Sequence, residues 1–302
     1  MDIHTEITRN AYAKINLTLD ILGVEADGYH RLRSVMQTIS LHDVITVRRG
    51  KPGIRLICSD KEIPSDSRNL AYRAAESFCA VTGIMPEFEI TLDKQIPHQA
   101  GLGGGSSDAA SVLAAFNIMH DEPLTKRVLC NIGAGIGSDV PFFIYGGTVS
   151  VGGRGEHIEI LPPIPVCHLV IVKPKFGIST AWAYRRLDEI RDDSIARAPD
   201  ILITNSMIEY LNAGDWDRLP ALISNDLEQP SIEKHPVIAE IKRQMVNLGS
   251  KGALMCGSGS AVFGIFGSES EAVNASSELN EYGDVYTAYT IHPDTETDSE
   301  LI

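Results

Sequence analysis

The chain reads as two α+β units with a ligand cleft between them, and three features of the sequence carry that expectation. Extended segments alternate with helical ones in both halves, and a proline-rich stretch, LPPIP at 161–165, separates the halves. A glycine cluster at 101–105 stands directly between a strand segment and a helix segment. With 302 residues, 43% of them hydrophobic, the chain is long and apolar enough for two buried cores rather than disorder.

In the first half, residues 8–22 read as extended and 34–47 as a second strand rich in β-branched residues, with the polar stretch ADGYHRLR at 26–33 as the loop between them. Residues 54–59 form a third strand, and 68–81 carry apolar side chains at helical spacing up to a stop at Gly83. Residues 87–92 alternate as a strand, the glycine cluster follows Pro97, and SSDAASVLAAFNIMH from Ser106 is rich in helix formers. Helical character returns at 125–132, an apolar run covers 140–145, and strand-like alternation covers 147–161. In the second half a strand at 168–172 and a helix from Ser179 lead to helical stretches at 202–212, 216–223 and 236–248. Strands at 253–256, 261–266 and 284–291 and a helix near 269–279 complete it, with a frayed acidic end after Pro293. The change of unit is set at 162/163, giving domains 1–162 and 163–302.

The 26 Lys and Arg residues stand against 40 Asp and Glu, a formal net charge of −14. That balance argues against nucleic acid and against an acidic membrane surface as partners. An anionic ligand would have to be met locally, by backbone N–H groups, a few placed cations or a metal. The first 21 residues lack the apolar block of a secretory signal and no run is long enough to cross a bilayer, so the expected location is cytoplasmic. Cys58, Cys79, Cys130, Cys167 and Cys256 are odd in number and contain no C-x-x-C pair, which reads as buried free thiols rather than a disulfide framework or a zinc site.

The stretch PHQAGLGGGSSD from Pro97 to Asp108 carries most information. Closely spaced glycines clear side chains from a turn so that backbone N–H groups can close on a bulky ligand, and the following helix aims its unsatisfied donors at the same place. Such a site suits phosphate. It is not a P-loop, because Gly105 is followed by Ser106 and Ser107 with no lysine. Nor is it the dinucleotide fingerprint, because Ser106 stands at the third glycine position of G-x-G-x-x-G. A flexible linker is the plain alternative, but an alanine-rich helix follows at once.

This loop resembles the central motif of the GHMP small-molecule kinases. Three further stretches agree with that family in the same order: AYAKINL at 11–17, ADGYH at 26–30 and GSGSAVF at 257–263. The resemblance spans nearly the whole chain and is most detailed for the branch whose acceptor is a cytidine diphosphate derivative. It implies an α+β two-domain fold, the first domain ribosomal protein S5 domain 2-like and the second ferredoxin-like. It also implies ATP-dependent phosphorylation of a hydroxyl on a small-molecule acceptor in isoprenoid precursor synthesis, with Mg²⁺ as companion to ATP. By the same resemblance the ATP-binding residues are Pro97, His98, Gln99, Ala100, Gly101, Leu102, Gly103, Gly104, Gly105, Ser106 and Ser107, with Asn69 and Lys94 toward adenine. The implied acceptor contacts are Asn16, Tyr29, His30 and Tyr184, and Ser107 is a candidate Mg²⁺ ligand.

Phosphoryl transfer to an alcohol needs an ATP cradle, positive charge on the moving group and a residue that accepts or orients the hydroxyl proton. Lys14 is the candidate cation, a charge in a mostly apolar strand; the competing reading is a lysine on the polar face of an edge strand. Two carboxylates compete for the third role. Asp108 falls in the first turn of the helix after the loop, where the helix dipole favours a charge and a capping or structural role. Asp139, in GSDVP, matches the family's aspartate, although an Asp beside Ser and Pro is also a common cap or Asx turn. Lys14 and Asp139 are therefore the expected catalytic pair. Another acceptor such as mevalonate or homoserine, or a nucleotide-binding regulator without catalysis, are the competing functions.

Overall fold

The computed structural model describes residues 5–121, 123–191 and 202–292, arranged on two sheets. The first sheet takes β1 (Glu6–Val24), β2 (His30–Arg49), β3 (Gly53–Cys58), β4 (Glu87–Asp93), β5 (Thr148–Gly153) and β6 (His157–Ile160). β1 and β2 form a long antiparallel hairpin, and β2, at 20 residues, is long enough to pair β5 along 32–37 and β4 along 44–49. β3 and β4 run parallel, as they must when α1 (Leu70–Thr82) crosses over between them. α1 and α2 (Gly104–Met119) cover the sheet through a core that includes Phe78, Phe88, Phe116 and Leu113, with α3 (Lys126–Ala134) and α4 (Val140–Tyr145) packed beside them.

The second sheet is antiparallel, with β7 (His168–Lys173), β9 (Gly252–Met255), β10 (Val262–Phe266) and β11 (Asp284–Tyr289) in the order β11-β7-β10-β9. Its helices are α5 (Thr180–Ile190), α6 (Ile203–Ala213), the short α7 (Leu219–Leu222), α8 (Glu228–Lys234), α9 (Val237–Asn247) and α10 (Glu269–Ser277). The succession β7, α9, β9, β10, α10, β11 is the ferredoxin-like βαββαβ order. One element crosses back: β8 (Ser224–Asn225) pairs in parallel with β1 at Thr18 and Leu19. The position 162/163 falls in the extended connection between β6 and β7.

β1 shows why strand alternation is a weak guide here. Ala13, Ile15, Leu17, Leu19 and Ile21 are buried, and so are Lys14, Asn16, Thr18 and Asp20 between them, because both faces of the strand are covered. The buried polar row is satisfied across the chain. Asn16 Nδ2 donates to Ser34 Oγ at 2.8 Å, Thr204 Oγ1 lies 2.8 Å from Thr18 Oγ1, and Asp20 Oδ2 accepts from the Thr204 amide at 2.9 Å in the first turn of α6.

Several sequence expectations change. β2 begins at His30 rather than 34, so half of the expected polar loop is strand, held by β1 and β5. α2 begins at Gly104, so two of the glycines belong to its first turn. The apolar run 140–145 is helix α4, with Pro141 in the first turn where a missing N–H costs nothing. The alternating stretch 147–161 is two strands folded at a turn around Arg154, and the helical stretch 216–223 is a single 3₁₀ turn followed by α7. β8 and α8 had no sequence expectation. The end after Pro293 lies outside the described residues. All five cysteines are free, and burial pushes the Cys256 thiol up to about 12, which keeps it inert.

Candidate active site

A cleft of about 1420 Å³ runs between the two sheets, floored by the glycine loop and walled by β1, α5 and the turn at 257–259. The loop is shaped by two left-handed glycines, Gly101 at φ 78° and Gly103 at φ 76°. A Cβ on Gly101 would sit inside the van der Waals radius of the Cys256 carbonyl oxygen, and one on Gly103 would lie 2.6 Å from the Phe143 ring and 3.2 Å from Lys14 Cγ. Gly103 is also the N-cap of the 16-residue α2 and offers no side chain to its first amides. Those donors therefore open onto the cleft, a site built for anionic oxygen. The loop is pinned from both sides: the Lys14 amide donates to Leu102 O at 3.0 Å and the Ala261 amide to Ala100 O at 3.2 Å.

Lys14 and Asp139 meet at the rim of this cradle. In the β1–β2 register Tyr12 faces His42 but Lys14 faces Thr38, an irregularity that re-aims the strand at Lys14. Lys14 is 4% exposed; its Nζ donates to Asn16 Oδ1 at 2.6 Å and lies 3.7 Å from Asp139 Oδ2. Asp139 is the N-cap residue of α4, yet its side chain makes no capping bond. The capping reading that competed for this aspartate is thereby removed, and its carboxylate, 34% exposed, faces Lys14 and the cleft.

Pro97, His98, Gln99, Ala100, Gly101, Leu102, Gly103, Gly104, Gly105 and Ser106 all line the cleft, but Ser107 does not. Ser107 is 2% exposed and its hydroxyl donates to Tyr12 O at 2.6 Å, because the helix turns it onto β1. Ser106 is the hydroxyl on the cleft side. Asn69 lines the wall, but its amide caps α1 through Ala71 N and holds Pro64 O. Lys94 is buried between Asp108, at 2.6 Å, and Asp43, so neither Asp108 nor Lys94 extends freely into the cleft. Burial pushes the Asp108 carboxyl up to about 7, against the pull of Lys94, and its Oδ1 has no hydrogen-bond partner among the described residues.

That titration has a sign. Asp108 ordinarily ionises near 3.8, so between about pH 4 and pH 7 the folded chain holds a proton that the unfolded chain has released. Stability contributed by this group is full below pH 4 and is lost as pH rises through about 7. Asp108→Asn is expected to flatten the fall in denaturant midpoint between pH 5 and pH 7, by up to about 1.4 kcal/mol per pH unit for one proton. Parallel pH profiles for the two proteins would show that Asp108 does not titrate there.

The other end of the cleft is aromatic. Tyr184 of α5 lies 4.6 Å, centroid to centroid, from His30 at the start of β2. His30 Nε2 is 2.9 Å from Asp188 Oδ1, so an ionised Asp188 fixes the proton on Nε2 and leaves Nδ1 for another group. Burial, and then the Asp139 charge, raises the Tyr184 phenol. Tyr29 is 57% exposed, with the Arg154 guanidinium 4.8 Å from its ring centroid and held by Glu25 and Asp27. Asp188, Arg154 and Asp43 had no sequence expectation, since each acts through a partner distant in the chain.

Among the described residues no cluster of three or more His, Cys, Asp or Glu side chains forms a metal site, and no helix is long and apolar enough to cross a membrane. The family model described as GHMP kinases N terminal domain matches residues 69–147, and GHMP kinases C terminal matches 207–285. The chain is 43% identical over 275 residues to a 4-diphosphocytidyl-2-C-methyl-D-erythritol kinase of Moorella thermoacetica, covering 91% of this chain and 95% of that one. It is 41% identical to the protein of the same name from Clostridium tetani, covering 93% and 99%. A crystal structure of 4-(cytidine 5'-diphospho)-2C-methyl-D-erythritol kinase superposes with TM-score 0.77 at 31% identity, covering 94% and 99%. A homoserine kinase from Cytophaga hutchinsonii superposes at 0.75 with 19% identity, covering 95% and 96%, a likeness of fold alone.

Proposed function

The chain belongs to the 4-diphosphocytidyl-2-C-methyl-D-erythritol kinases of the GHMP kinase group, and from that premise we propose how its cleft carries out their reaction. The reaction is ATP-dependent phosphorylation of the 2-hydroxyl of the diphosphocytidyl alcohol, in the non-mevalonate route to isoprenoid precursors. The observation that carries the reading is the approach of Lys14 Nζ to Asp139 Oδ2, 3.7 Å apart beside an uncapped helix start.

In this reading the amides of Gly103, Gly104, Gly105 and Ser106 hold the triphosphate, and Lys14 offsets charge that develops on the transferring group. Asp139 accepts the acceptor's hydroxyl proton as the oxygen attacks phosphorus, and Asn16 holds Lys14 in place through Oδ1. Mg²⁺, when bound with ATP, would supply charge neutralisation at the phosphates; Ser106, which lines the cleft, would be the loop hydroxyl available to hold it, since the Ser107 hydroxyl is committed to Tyr12 O. Asn69 and Lys94 shape the adenine end from the wall, Lys94 as an element of a buried ion cluster. Tyr29, His30 and Tyr184 take the cytosine, His30 through Nδ1. Domain 1–162 carries the ATP cradle, and the acceptor lies between it and domain 163–302, with Asn16, Tyr29 and His30 from the first and Tyr184 from the second, in an enzyme of the cytoplasm that binds neither nucleic acid nor membrane, in keeping with its net charge of −14.

ADP release measured across the diphosphocytidyl alcohol, mevalonate and homoserine tests this. Turnover is expected with the first alone; turnover with either of the others and none with the first would overturn the acceptor reading.

A further inference from the structure

Among the described residues five Lys and Arg side chains line the cleft, and four have a carboxylate partner. Lys14 faces Asp139, Arg68 faces Asp66, Lys94 lies between Asp43 and Asp108, and Arg154 is held by Glu25 and Asp27. Arg185 is the fifth; it is exposed, and no carboxylate or hydrogen-bond partner meets it among the described residues. An acceptor that joins a cytidine to an alcohol through a diphosphate brings negative charge into a cleft whose other cations each face a carboxylate. Asp139 and Asp188 at its two ends increase that mismatch.

The position of Arg185 along α5 matches the need. Ala181, Tyr184, Arg185 and Asp188 line the cleft at the spacing of one helix face. Asp188 holds His30 at the aromatic end, and Thr180 Oγ1 lies 2.9 Å from Ser258 Oγ in the turn beside Lys14. At 1.5 Å per residue these two ends of α5 are about 12 Å apart, and Arg185 stands about 4.5 Å along the axis from Asp188. It therefore projects between the base end and the transfer end. The geometry points to Arg185 as the residue that reads the acceptor's diphosphate, a specificity determinant of the cytidine site. This rests on the diphosphocytidyl reading of the acceptor.

The test is direct binding of cytidine, CMP and CDP to the full chain, to Arg185→Ala and to Arg185→Lys. Wild type is expected to bind CDP more tightly than cytidine. Arg185→Ala weakens CDP roughly tenfold to a hundredfold, as for a lost charge-assisted contact, while cytidine binding moves less than about twofold. Arg185→Lys restores part of the loss, because the charge returns without the forked donors. In turnover the loss falls on KM for the acceptor rather than KM for ATP. Equal losses for cytidine and CDP, or no loss for either, would overturn the role of Arg185 while leaving the acceptor reading intact. A wild-type chain that binds neither cytidine nor CDP would overturn the acceptor reading, and this inference with it.

Discussion

Asp139→Asn is expected to slow phosphoryl transfer roughly 10²- to 10⁴-fold, the range for a removed general base, with acceptor and ATP binding changed only a few-fold. The amide keeps the size of the carboxylate and loses the charge and the proton-accepting oxygen. Stability should hardly change, since the Asp139 side chain makes no capping bond and its described partner, Lys14, keeps Asn16 Oδ1 at 2.6 Å. Single-turnover rapid-quench measurement separates this step from binding and product release. A rate near that of wild type with both substrates bound normally would rule the role out.

Gly101→Ala is expected to cost about 3 kcal/mol or more of stability and to abolish ATP binding with it. Its φ of 78° alone costs an L-residue about 1–3 kcal/mol, and the added methyl would press into the Cys256 carbonyl, 2.8 Å from its carbon. That obstacle is backbone, fixed by the Gly259 amide at 2.7 Å, so it cannot rotate aside. Gly83→Ala is the matched control: it has φ 73° at the end of α1 with nothing within 4 Å of an added Cβ. It should lose about 1–2 kcal/mol, the conformational part only. Equal losses in urea melts of the two variants would mean that the two glycine turns do not touch as described.

What the sequence made legible were the parts whose chemistry is local. A glycine run before a helix is readable because only glycine tolerates the left-handed turn at Gly101 and Gly103, and the helix that follows is continuous in the chain. Lys14 and Asp139 were identified by motif, but no pattern of spacing could show that they approach to 3.7 Å. The misreadings share a cause. His30 to Arg33 look like a polar loop because their side chains are polar, yet the backbone pairs with β1 and β5, and pairing is a tertiary fact. Lys94, expected toward adenine by resemblance, gives no sign in the sequence that the fold brings Asp43 from β2 and Asp108 from α2 onto it. Ser107 reads as a phosphate-loop hydroxyl until the helix phase turns it toward the Tyr12 carbonyl. Arg185 gave no signal at all, since its distinction is the lack of a partner among the described residues.

The return of β8 to the first sheet has a consequence for anyone wishing to cut the protein. The Asp226 amide, just after it, donates to Leu19 O at 3.0 Å, while Asp20 in β1 accepts the Thr204 amide. Each half thus carries a seam of the other's hydrogen bonds, and a fragment ending at 162 would leave Thr18, Leu19 and Asp20 with raw polar edges in an apolar setting. Severing the peptide between β6 and β7 should yield two pieces that are insoluble apart and reassemble when made together.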